Sequence, residues 1–527
     1  MKVVSVAEMQ ALDYAAINEL GIPEEVLMEN AGIAVARLLL AIKPDLRTSQ
    51  TLVVCSTGNN GGDGLVIARQ LHSLGVKVRV LIVGNPAKCT GAAKTNLRAL
   101  SNIVAIPLLH ALSSADIQES LKDVDIVVDA LLGTGIDRPV EGIFAAIIRA
   151  INDAKTPPPK TYKKNLVVSV DIPSGINGNT GAIMGEAIRA DVTVTLGLPK
   201  LGLLLSPGFE HCGKIYLSRI SFPLSYQNPQ ALKISINEYL PLPPRLPQAH
   251  KKSVGTALIV AGSNNYRGAA YLAGAAFLRS GGGYATLASV PDVISLVAFR
   301  CPEIVVFPCK GQDGALSLTE LPTILALAER AGMVILGPGL SLAPQAQALA
   351  QALIAKIKCP LVIDGDAISA LANAPTLKRT LPTIITPHAG EIARLARITV
   401  AEVEANRVAV VGRLSRELGA HIVLKGPHSL ISSPDGRIFI NLTGNAGMAT
   451  AGTGDVLTGI IAGMYGAGLS LEEALRKAVY IHGLAGDLAS KSKGESGMIA
   501  SDLLDSIPLA LQHDQKTQAN IPSITII

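Results

Sequence analysis

The sequence predicts an α/β protein made of two domains in series, and three observations support this fold class. Short β-branched runs alternate with amphipathic helical stretches, an order typical of doubly wound sheets. Hydrophobic residues make up 49% of the chain and glycine contributes 50 of 527 residues, a mixture that suits parallel sheets covered by helices. One proline-rich segment interrupts the alternation near the middle. We therefore expect two three-layer α/β domains.

In the first domain, six apolar runs predict strands, and helical patterns such as GLVIARQLHSLG and VEGIFAAIIRAI lie between them. The predicted strands are TLVVCSTG (51–58), KVRVLIVG (77–84), VDIVVDALLG (124–133), LVVSVDIPSG (166–175), DVTVTLGL (191–198) and KIYLSRI (214–220). The Pro/Lys cluster TPPPKTYKK, at 156–164, predicts an exposed loop within this domain.

The strongest compositional break is PLPPRLPQAHKK, from Pro241 to Lys252. Such closely spaced prolines cannot propagate a helix or occupy the middle of a sheet, so the segment is typical of a tether between domains. The expected organisation is a first domain at 1–240, a Pro-rich linker at 241–252 and a second domain at 253–515.

The strand–helix alternation resumes after the tether. The predicted strands are TALIVAGS, GYATLASV, MVILGPG, PLVIDGD, TIITPH and HIVLKG. The following stretch SLISSPDGRIFIN predicts a hairpin that turns at Asp435-Gly436.

Composition excludes several classes of function. A net charge of +5 is too small to indicate a polyanion partner, and 3% aromatic residues are too few for base-stacking platforms. No apolar stretch approaches the roughly 18 residues that indicate a membrane span. The six cysteines form no CxxC pair, which indicates reduced thiols. We expect a cytoplasmic protein that binds neither nucleic acid nor membrane.

The first candidate site follows the first strand, where Asn59, Asn60, Gly61, Gly62 and Asp63 lead into a helix. Backbone N–H groups at such a helix start can hold a phosphate. A glycine-rich strand–helix turn is the simpler interpretation, but the two asparagines and the aspartate exceed what a turn needs. This favours a binding site.

Polar residues also follow two neighbouring strands, which bring Asp129, Asp171 and Ser174 to the same sheet edge. A carboxylate at the end of an apolar strand is costly unless it caps, pairs or binds a ligand, although Asp171 could also form an Asx-type turn. Oxygen ligands from Asn60, Asp129 and Ser174 would suit a hard monovalent or divalent cation.

The four motifs LMENAG (27–32), NNGGDG (59–64), VVDALLGTG (127–135) and DIPSG (171–175) resemble the NAD(P)H-hydrate epimerase family over roughly residues 1–225. The resemblance implies a Rossmann-like fold that interconverts the R and S forms of hydrated NADH and NADPH. It implies a potassium ion at Asn60, Asp129 and Ser174, substrate contacts from the 59–63 loop and from Gly133, Thr134 and Gly135, and Asp171 as the acid/base.

The second candidate site is NAGMATAGTGD (445–455), which precedes an apolar helix. Gly452-Thr453-Gly454 can form a nest of N–H donors that faces an anion, with Asp455 over it at the helix start. Such a carboxylate can accept the proton of a hydroxyl that attacks a phosphoryl group. The simpler interpretation is a helix cap, but the loop is richer in glycine than a cap requires.

Further loops follow other strands of the second domain. In the loop Lys425-Gly426-Pro427-His428-Ser429, which follows a strand, the lysine and the backbone N–H groups could hold a nucleotide phosphate. His388 and Glu391 follow TIITP, although a lone histidine is more often structural and Glu391 could be a first-turn helix charge.

The AGTGD element resembles the ribokinase-like superfamily, and with GPG, VIDGDA, TPHAGE and KGPHS it is similar to ADP-dependent NAD(P)H-hydrate dehydratases over roughly 250–510. The resemblance implies that the S form is dehydrated through phosphorylation of its hydroxyl and loss of phosphate, with ADP or ATP as co-substrate and Mg²⁺. Asp455 would be the base. Ala269, Gly339 and His388 would contact the hydrate, and Lys425–Ser429 with Gly454 the nucleotide. We expect a homo-oligomer.

Two alternatives remain open. The second domain could be a ribokinase-like kinase of a small alcohol or vitamin precursor, since GTGD serves that chemistry too. The first domain could be a non-catalytic nucleotide-binding module, although the set Asn60, Asp129 and Asp171 disfavours this.

Overall fold

A mainly parallel β-sheet organises each part of the chain. The computed structural model describes residues 1–111, 114–155, 165–373, 379–517 and 524–527. Contacts between α-carbons divide the chain into two units, the first formed by Met1–Leu232 with the C-terminal strand and the second beginning at Lys233. The predicted fold class is thereby confirmed. The loop predicted at 156–164 lies outside the described residues.

The elements are numbered in chain order. The helices are α1 (Val6–Asn18), α2 (Glu24–Ile42), α3 (Asn59–Ser73), α4 (Gly91–Ser101), α5 (Ser114–Ser120), α6 (Gly142–Lys155), α7 (Gly208–His211), α8 (Leu224–Gln227), α9 (Arg267–Arg279), α10 (Pro291–Arg300), α11 (Leu321–Ala328), α12 (Pro344–Lys356), α13 (Asp366–Ala372), α14 (Ala389–Ala396), α15 (Val400–Ala405), α16 (Arg407–Leu418), α17 (Thr453–Gly466), α18 (Leu471–Lys493) and α19 (Ala500–Thr517). The strands are β1 (Gln50–Cys55), β2 (Lys77–Ile82), β3 (Leu108–His110), β4 (Ile126–Ala130), β5 (Leu166–Val170), β6 (Val192–Leu196), β7 (Lys214–Ser218), β8 (Ile234–Ile236), β9 (Thr256–Val260), β10 (Tyr284–Ser289), β11 (Val305–Pro308), β12 (Gly311–Gln312), β13 (Ala315–Leu316), β14 (Met333–Leu336), β15 (Leu361–Ile363), β16 (Thr383–Ile385), β17 (His421–Leu424), β18 (Leu430–Ser432), β19 (Ile438–Ile440) and β20 (Ile524–Ile526).

The sheet of the first unit has the strand order β20-β7-β6-β5-β4-β1-β2-β3, and its neighbouring strands run parallel. Every residue of β4 and β6 is buried, as continuous apolar strands covered by helices on both faces require. The order reverses between β1 and β4, which is where ligands bind in open sheets of this kind.

The sheet of the second unit has the order β11-β10-β9-β14-β15-β16-β17-β18-β19-β8. The first seven strands in this order, from β11 through β9 and β14 to β17, run parallel to one another. Strands β18 and β19 form the predicted hairpin, and β18 pairs antiparallel with β17. Gly436 adopts a φ of 88° in the hairpin turn, a conformation that glycine adopts without strain.

The domain boundary differs from the predicted one. Residues 233–240 were assigned to the first domain, but β8 pairs in parallel with β19, so these residues belong to the second unit. The proline-rich segment 241–252 contains no helix or strand, yet it too lies within the second unit. A three-residue strand gives no clear periodicity, which is why its partner could not be predicted.

Each of the predicted strands is present, with shifts of a few residues at its ends. The principal difference concerns NNGGDG, predicted as a loop that leads into a helix. Helix α3 begins at Asn59, so these six residues form its first turns, with Gly58 at the N-cap. None of the described helices is both long and apolar enough to span a membrane.

Candidate active sites

The first site is a cavity of about 1210 Å³ at the carboxyl ends of the parallel strands of the first unit. Most of the predicted substrate-binding residues line it. They are Asn59, Asn60, Asp63, Gly133, Thr134, Gly135 and Asp171. Helix α1 contributes Met9, Gln10 and Asp13 to the cavity lining, and Lys200 lines the cavity as well.

Gly61 and Gly62, predicted to contact substrate, do not line this cavity. A Cβ atom on Gly61 would lie 2.0 Å from the Ser56 backbone oxygen, and one on Gly62 would lie 2.8 Å from the Met28 sulfur. Both glycines therefore allow α3 to pack closely against its neighbours. Their part in the site is to place Asn59, Asn60 and Asp63.

Asp171 follows β5 in a left-handed conformation with a φ of 67°, which is uncommon for a residue other than glycine. Its Oδ1 accepts a hydrogen bond of 3.1 Å from the Leu196 backbone N–H and forms an ion pair with the Lys200 ammonium group. Lys200 also donates to the Leu196 carbonyl oxygen over 2.6 Å, and its side chain is 1% exposed. A residue with a strained backbone whose carboxylate is held by a buried cation is typical of a functional site.

Two further carboxyl groups share this region. Burial raises the pKa of Asp13 to about 6, against the opposing effect of Lys200. Burial also raises the pKa of Asp63 well above its ordinary value, and the Asp171 charge adds to the shift. Because one lysine cannot neutralise three carboxylates, the site favours holding at least one proton at neutral pH.

The predicted cation ligands fall into two groups. Asp129 is fully buried and accepts hydrogen bonds from Ser169 Oγ at 2.7 Å and from Ser174 N at 2.9 Å. Ser174 Oγ in turn accepts from Leu132 N at 2.8 Å, so both residues support the loop after β4. Asn60 lies against the same loop beside Gly133, and both polar atoms of its amide are buried without a hydrogen-bond partner among the described residues.

The second site lies at the carboxyl ends of parallel strands in the second unit. Asp455 is in the first turn of α17, after Gly452, whose φ is 95°. A Cβ atom on Gly454 would lie 3.2 Å from the Lys425 nitrogen, so this lysine faces the glycine loop. The structure therefore brings Asp455, Gly454 and Lys425 together, as the sequence predicts.

Lys425 is held by one carboxylate from the loop after β15 and by another from the first turn of α14. Its nitrogen lies 2.8 Å from Asp364 Oδ1 and 3.9 Å from Glu391 Oε2, and Thr386 Oγ donates to Asp364 over 2.6 Å. Burial raises the pKa of Asp455 to about 7, and the nearby Asp364 charge adds to the rise while Lys425 opposes it. Burial likewise raises the pKa of Glu391 to about 7. A carboxyl group that titrates near neutral pH suits a general base.

His388 and Glu391 form the capping box of α14. Glu391 accepts from the His388 backbone N–H over 2.8 Å, and His388 Nδ1 accepts from Gly390 N over 3.0 Å. The helix-charge interpretation of Glu391 is thus correct, yet the same carboxylate also lies beside Lys425. The His388 side chain is 59% exposed, so it remains accessible to a ligand.

The remaining predicted contacts come from the start of α9, the loop after β14 and the 425–429 loop. A Cβ atom on Gly339 would lie 3.0 Å from the Ala269 Cβ atom and 2.6 Å from the Tyr266 Cβ atom, so the start of α9 adjoins the loop after β14. In the 425–429 loop, Arg407 donates to the Pro427 carbonyl oxygen over 2.7 Å, and Ser429 donates to that of Gly426 over 3.1 Å. His428 adopts a φ of 48°.

Sequence reasoning missed Asp13 and Lys200 as members of the first site. Lys200 did leave a signal, since it is the charged residue of the apolar stretch TLGLPKLGLLL that follows a strand. Asp13 left none, because it belongs to a helix that precedes the motifs and carries no motif of its own. Among the described residues, no three His, Cys, Asp or Glu side chains are grouped as a metal site.

Comparisons with known proteins cover both units. The family described as NAD(P)H-hydrate dehydratase matches residues 257–509, and the family described as YjeF-related protein N-terminus matches residues 24–202. A crystal structure of the ADP/ATP-dependent NAD(P)H-hydrate dehydratase from Bacillus subtilis, co-crystallised with ATP/Mg²⁺, is 32% identical and covers 52% of this chain and 94% of its own, with a TM-score of 0.46.

Full-length relatives share one name, bifunctional NAD(P)H-hydrate repair enzyme Nnr. The protein of Thermofilum pendens is 44% identical, covering 97% of this chain and 96% of its own. That of Moorella thermoacetica is 38% identical, covering 97% of each chain, and that of Escherichia coli is 32% identical, covering 93% and 90%. On these matches, which span both units, this chain belongs to the family of bifunctional NAD(P)H-hydrate repair enzymes.

Proposed function

We propose that this chain repairs hydrated NADH and NADPH through two activities. The first unit interconverts the R and S hydrates, and the second dehydrates the S form at the expense of ADP or ATP. The observation that carries the proposal is the presence of both sites on one chain whose relatives, bifunctional repair enzymes by name, match it over nearly their whole length.

In the epimerase site, Asp171 acts as the acid/base. Interconversion of the C6 epimers requires a labile C6 hydroxyl group, and Asp171 lines the cavity in which a dinucleotide would lie. Its ion pair with Lys200 fixes the carboxylate and provides a partner that exchanges protons with it. Asp63, whose pKa is raised by burial, provides a second proton-bearing group in the same wall.

Potassium would be held by Asn60 with Asp129 and Ser174. The unpartnered, buried Asn60 amide fits a cation, because an amide oxygen left without a donor is otherwise costly. Asp129 and Ser174 adjoin the loop that Asn60 contacts, which supports a site built from these oxygen donors. When bound, the ion supplies a positive charge for the oxygen atoms of the substrate.

In the dehydratase site, Asp455 takes the proton of the hydrate's C6 hydroxyl. The oxygen then attacks the terminal phosphoryl group of the nucleotide, and the leaving group is AMP when the nucleotide is ADP, or ADP when it is ATP. The phosphate formed departs with the C6 oxygen, and loss of a neighbouring proton restores the double bond of the reduced nicotinamide. The N–H groups at the start of α17 and the Lys425 ammonium group stabilise the charge that develops on the phosphoryl oxygens.

The 425–429 loop would bind the nucleotide. The hydrate would be bound by Ala269, Gly339 and His388. Mg²⁺ commonly binds through one or two carboxylates together with the nucleotide phosphates, and Asp366 and Glu391, whose charges help to raise the pKa of Asp455, would provide such donors. When bound, Mg²⁺ neutralises phosphate charge.

Two isosteric variants test the proposal. Purified protein supplied with S-hydrate and ADP should regenerate the absorbance of NADH and release one phosphate and one AMP per NADH. Asp455→Asn should abolish this reaction and leave epimerisation of the R-hydrate intact, whereas Asp171→Asn should do the reverse. A stable phosphorylated product would instead support a small-alcohol kinase, and unchanged epimerisation in Asp171→Asn would refute the role of Asp171.

A further inference from the structure

One face of α18 contacts the loop that carries the anion-binding glycines. We call residues 443–454 the phosphoryl loop. His482 Nε2 lies 2.8 Å from the Thr453 carbonyl oxygen at the end of this loop. Asp487 accepts hydrogen bonds of 3.0 Å from Gly444 N and from Asn445 Nδ2 at its beginning. His482 and Asp487 are five residues apart on one helix, so a single rigid element holds both ends of the loop.

Two glycines between these residues bring the loop against the helix. A Cβ atom on Gly483 would lie 2.5 Å from the Thr443 backbone oxygen, and one on Gly486 would lie 2.3 Å from the Met448 sulfur. The backbone of the phosphoryl loop therefore rests on α18 at Gly483, and the Met448 side chain packs on the helix at Gly486. The sequence HGLAGD (482–487) thus combines two polar contacts with two glycines that leave room for the loop.

The protonation of His482 follows from its partner. A carbonyl oxygen can only accept, so Nε2 carries the hydrogen. Burial lowers the pKa of His482 to about 4, and the hydrogen bond to Thr453 opposes that effect. The ring is therefore neutral near pH 7 and acts as a fixed donor rather than as an acid or base.

We propose that His482 and Asp487 are positioning residues of the dehydratase site. They fix the orientation of the phosphoryl loop so that its N–H groups and the Asp455 carboxylate point at the transferring phosphoryl group. This inference rests on the proposed function of that site. Neither residue is expected to touch the substrate, and their effect is exerted through Thr453 and through Gly444 with Asn445.

A matched pair of variants at His482 tests the inference. His482→Leu removes the donor at similar volume, whereas His482→Gln retains an N–H group near the position of Nε2. Displacement of catalytic groups by about 1 Å can cost about 10²-fold in rate, so His482→Leu should lose kcat by about that factor. The KM for ADP should change much less than kcat, because Lys425–Ser429 are untouched and Gly454 is the one proposed nucleotide contact within the phosphoryl loop. His482→Gln should recover most of the lost kcat.

Amide hydrogen exchange in the free protein provides a second readout that needs no activity. Residues 444–455 should exchange faster in His482→Leu and in Asp487→Leu than in the wild type, and near the wild-type rate in His482→Gln. Unchanged exchange and kcat in His482→Leu would overturn the inference. Equal losses of kcat in His482→Leu and His482→Gln, together with a lower Tm of both variants, would also overturn it, because that result would show that His482 acts through packing and not through its N–H group. A wild-type protein without hydrate-dependent ADP use would refute the proposed function alone, because the exchange result would still decide the role of His482.

Discussion

Lys200 is the residue on which the electrostatics of the first site depend. Its buried ammonium group faces Asp171 directly and lowers the pKa of Asp13 against the effect of burial. Removing one partner of a buried pair leaves an uncompensated charge, which costs about 3–5 kcal/mol. If Asp171 acts as proposed, Lys200 contributes to catalysis as well as to folding, and an experiment must separate the two.

Lys200→Met should lower the rate of epimerisation by about 10²-fold or more, because Asp171 loses its proton-exchange partner. The same variant should lower the Tm of the first unit. The double variant Lys200→Met/Asp171→Asn removes both charges and should regain the Tm without regaining activity. Wild-type epimerisation by the single variant would contradict the role given to Lys200.

Asp455 gives the second site a predictable pH dependence. Burial raises the pKa of this carboxyl to about 7. The carboxylate form is the base, so kcat for dehydration should fall as the pH drops through 7 and level off above it. The check is kcat at saturating ADP and hydrate between about pH 5.5 and 8.5. A rate that is flat across this range would show that Asp455 does not act as the base.

At the scale of elements, glycines determine how closely helices approach. Gly459 and Gly463 on α17 would place a Cβ atom 2.2 Å from the Ala273 oxygen and 2.0 Å from the Ser280 hydroxyl of the α9 region. Helix α17 can therefore lie against α9, and the first turn of α17, with Asp455, faces the first turns of α9, where Ala269 lies. In α3, Gly61 serves the same purpose against the loop after β1.

Gly61→Ala should destabilise the first unit by about 1–3 kcal/mol, because the added methyl group overlaps the Ser56 backbone and forces a shift. The gain in helix propensity from alanine, about 1 kcal/mol, offsets only part of this loss. Denaturant unfolding measures the effect. Gly135→Ala is the matched control, since a Cβ atom there has no neighbour within 4 Å. Equal stability of the two variants would contradict the packing role of Gly61.

At the scale of the whole molecule, the sequence alone predicts the two α/β units and several of the polar residues that line the cavity. Apolar runs reveal buried parallel strands, and ligand loops follow their carboxyl ends, so Asn60, Asp171 and Asp455 could be located from motifs. Contacts between distant segments could not be predicted. The short strands β8 and β20, each of three residues, carry too little pattern to reveal their partners β19 and β7.

The same limit applies to residues that act through packing. Lys200 reaches Asp171 from 29 positions away, and His482 reaches Thr453 from another helix at the same separation. Neither residue belongs to the motif that it supports. Gly61 and Gly62 show the converse, since the motif predicts that they contact the substrate, whereas both lie in α3 away from the cavity.

The most direct measurement follows NADH recovery from an equal mixture of R and S hydrates with excess ADP. The wild-type protein should restore the whole mixture, because the first unit converts R to S as the second consumes S. Asp171→Asn should restore only the S half rapidly, and adding Asp455→Asn protein to it should restore the remainder. If Asp171→Asn alone restored the full mixture at the wild-type rate, or if the two variants together did not, the assignment of one activity to each unit would be wrong.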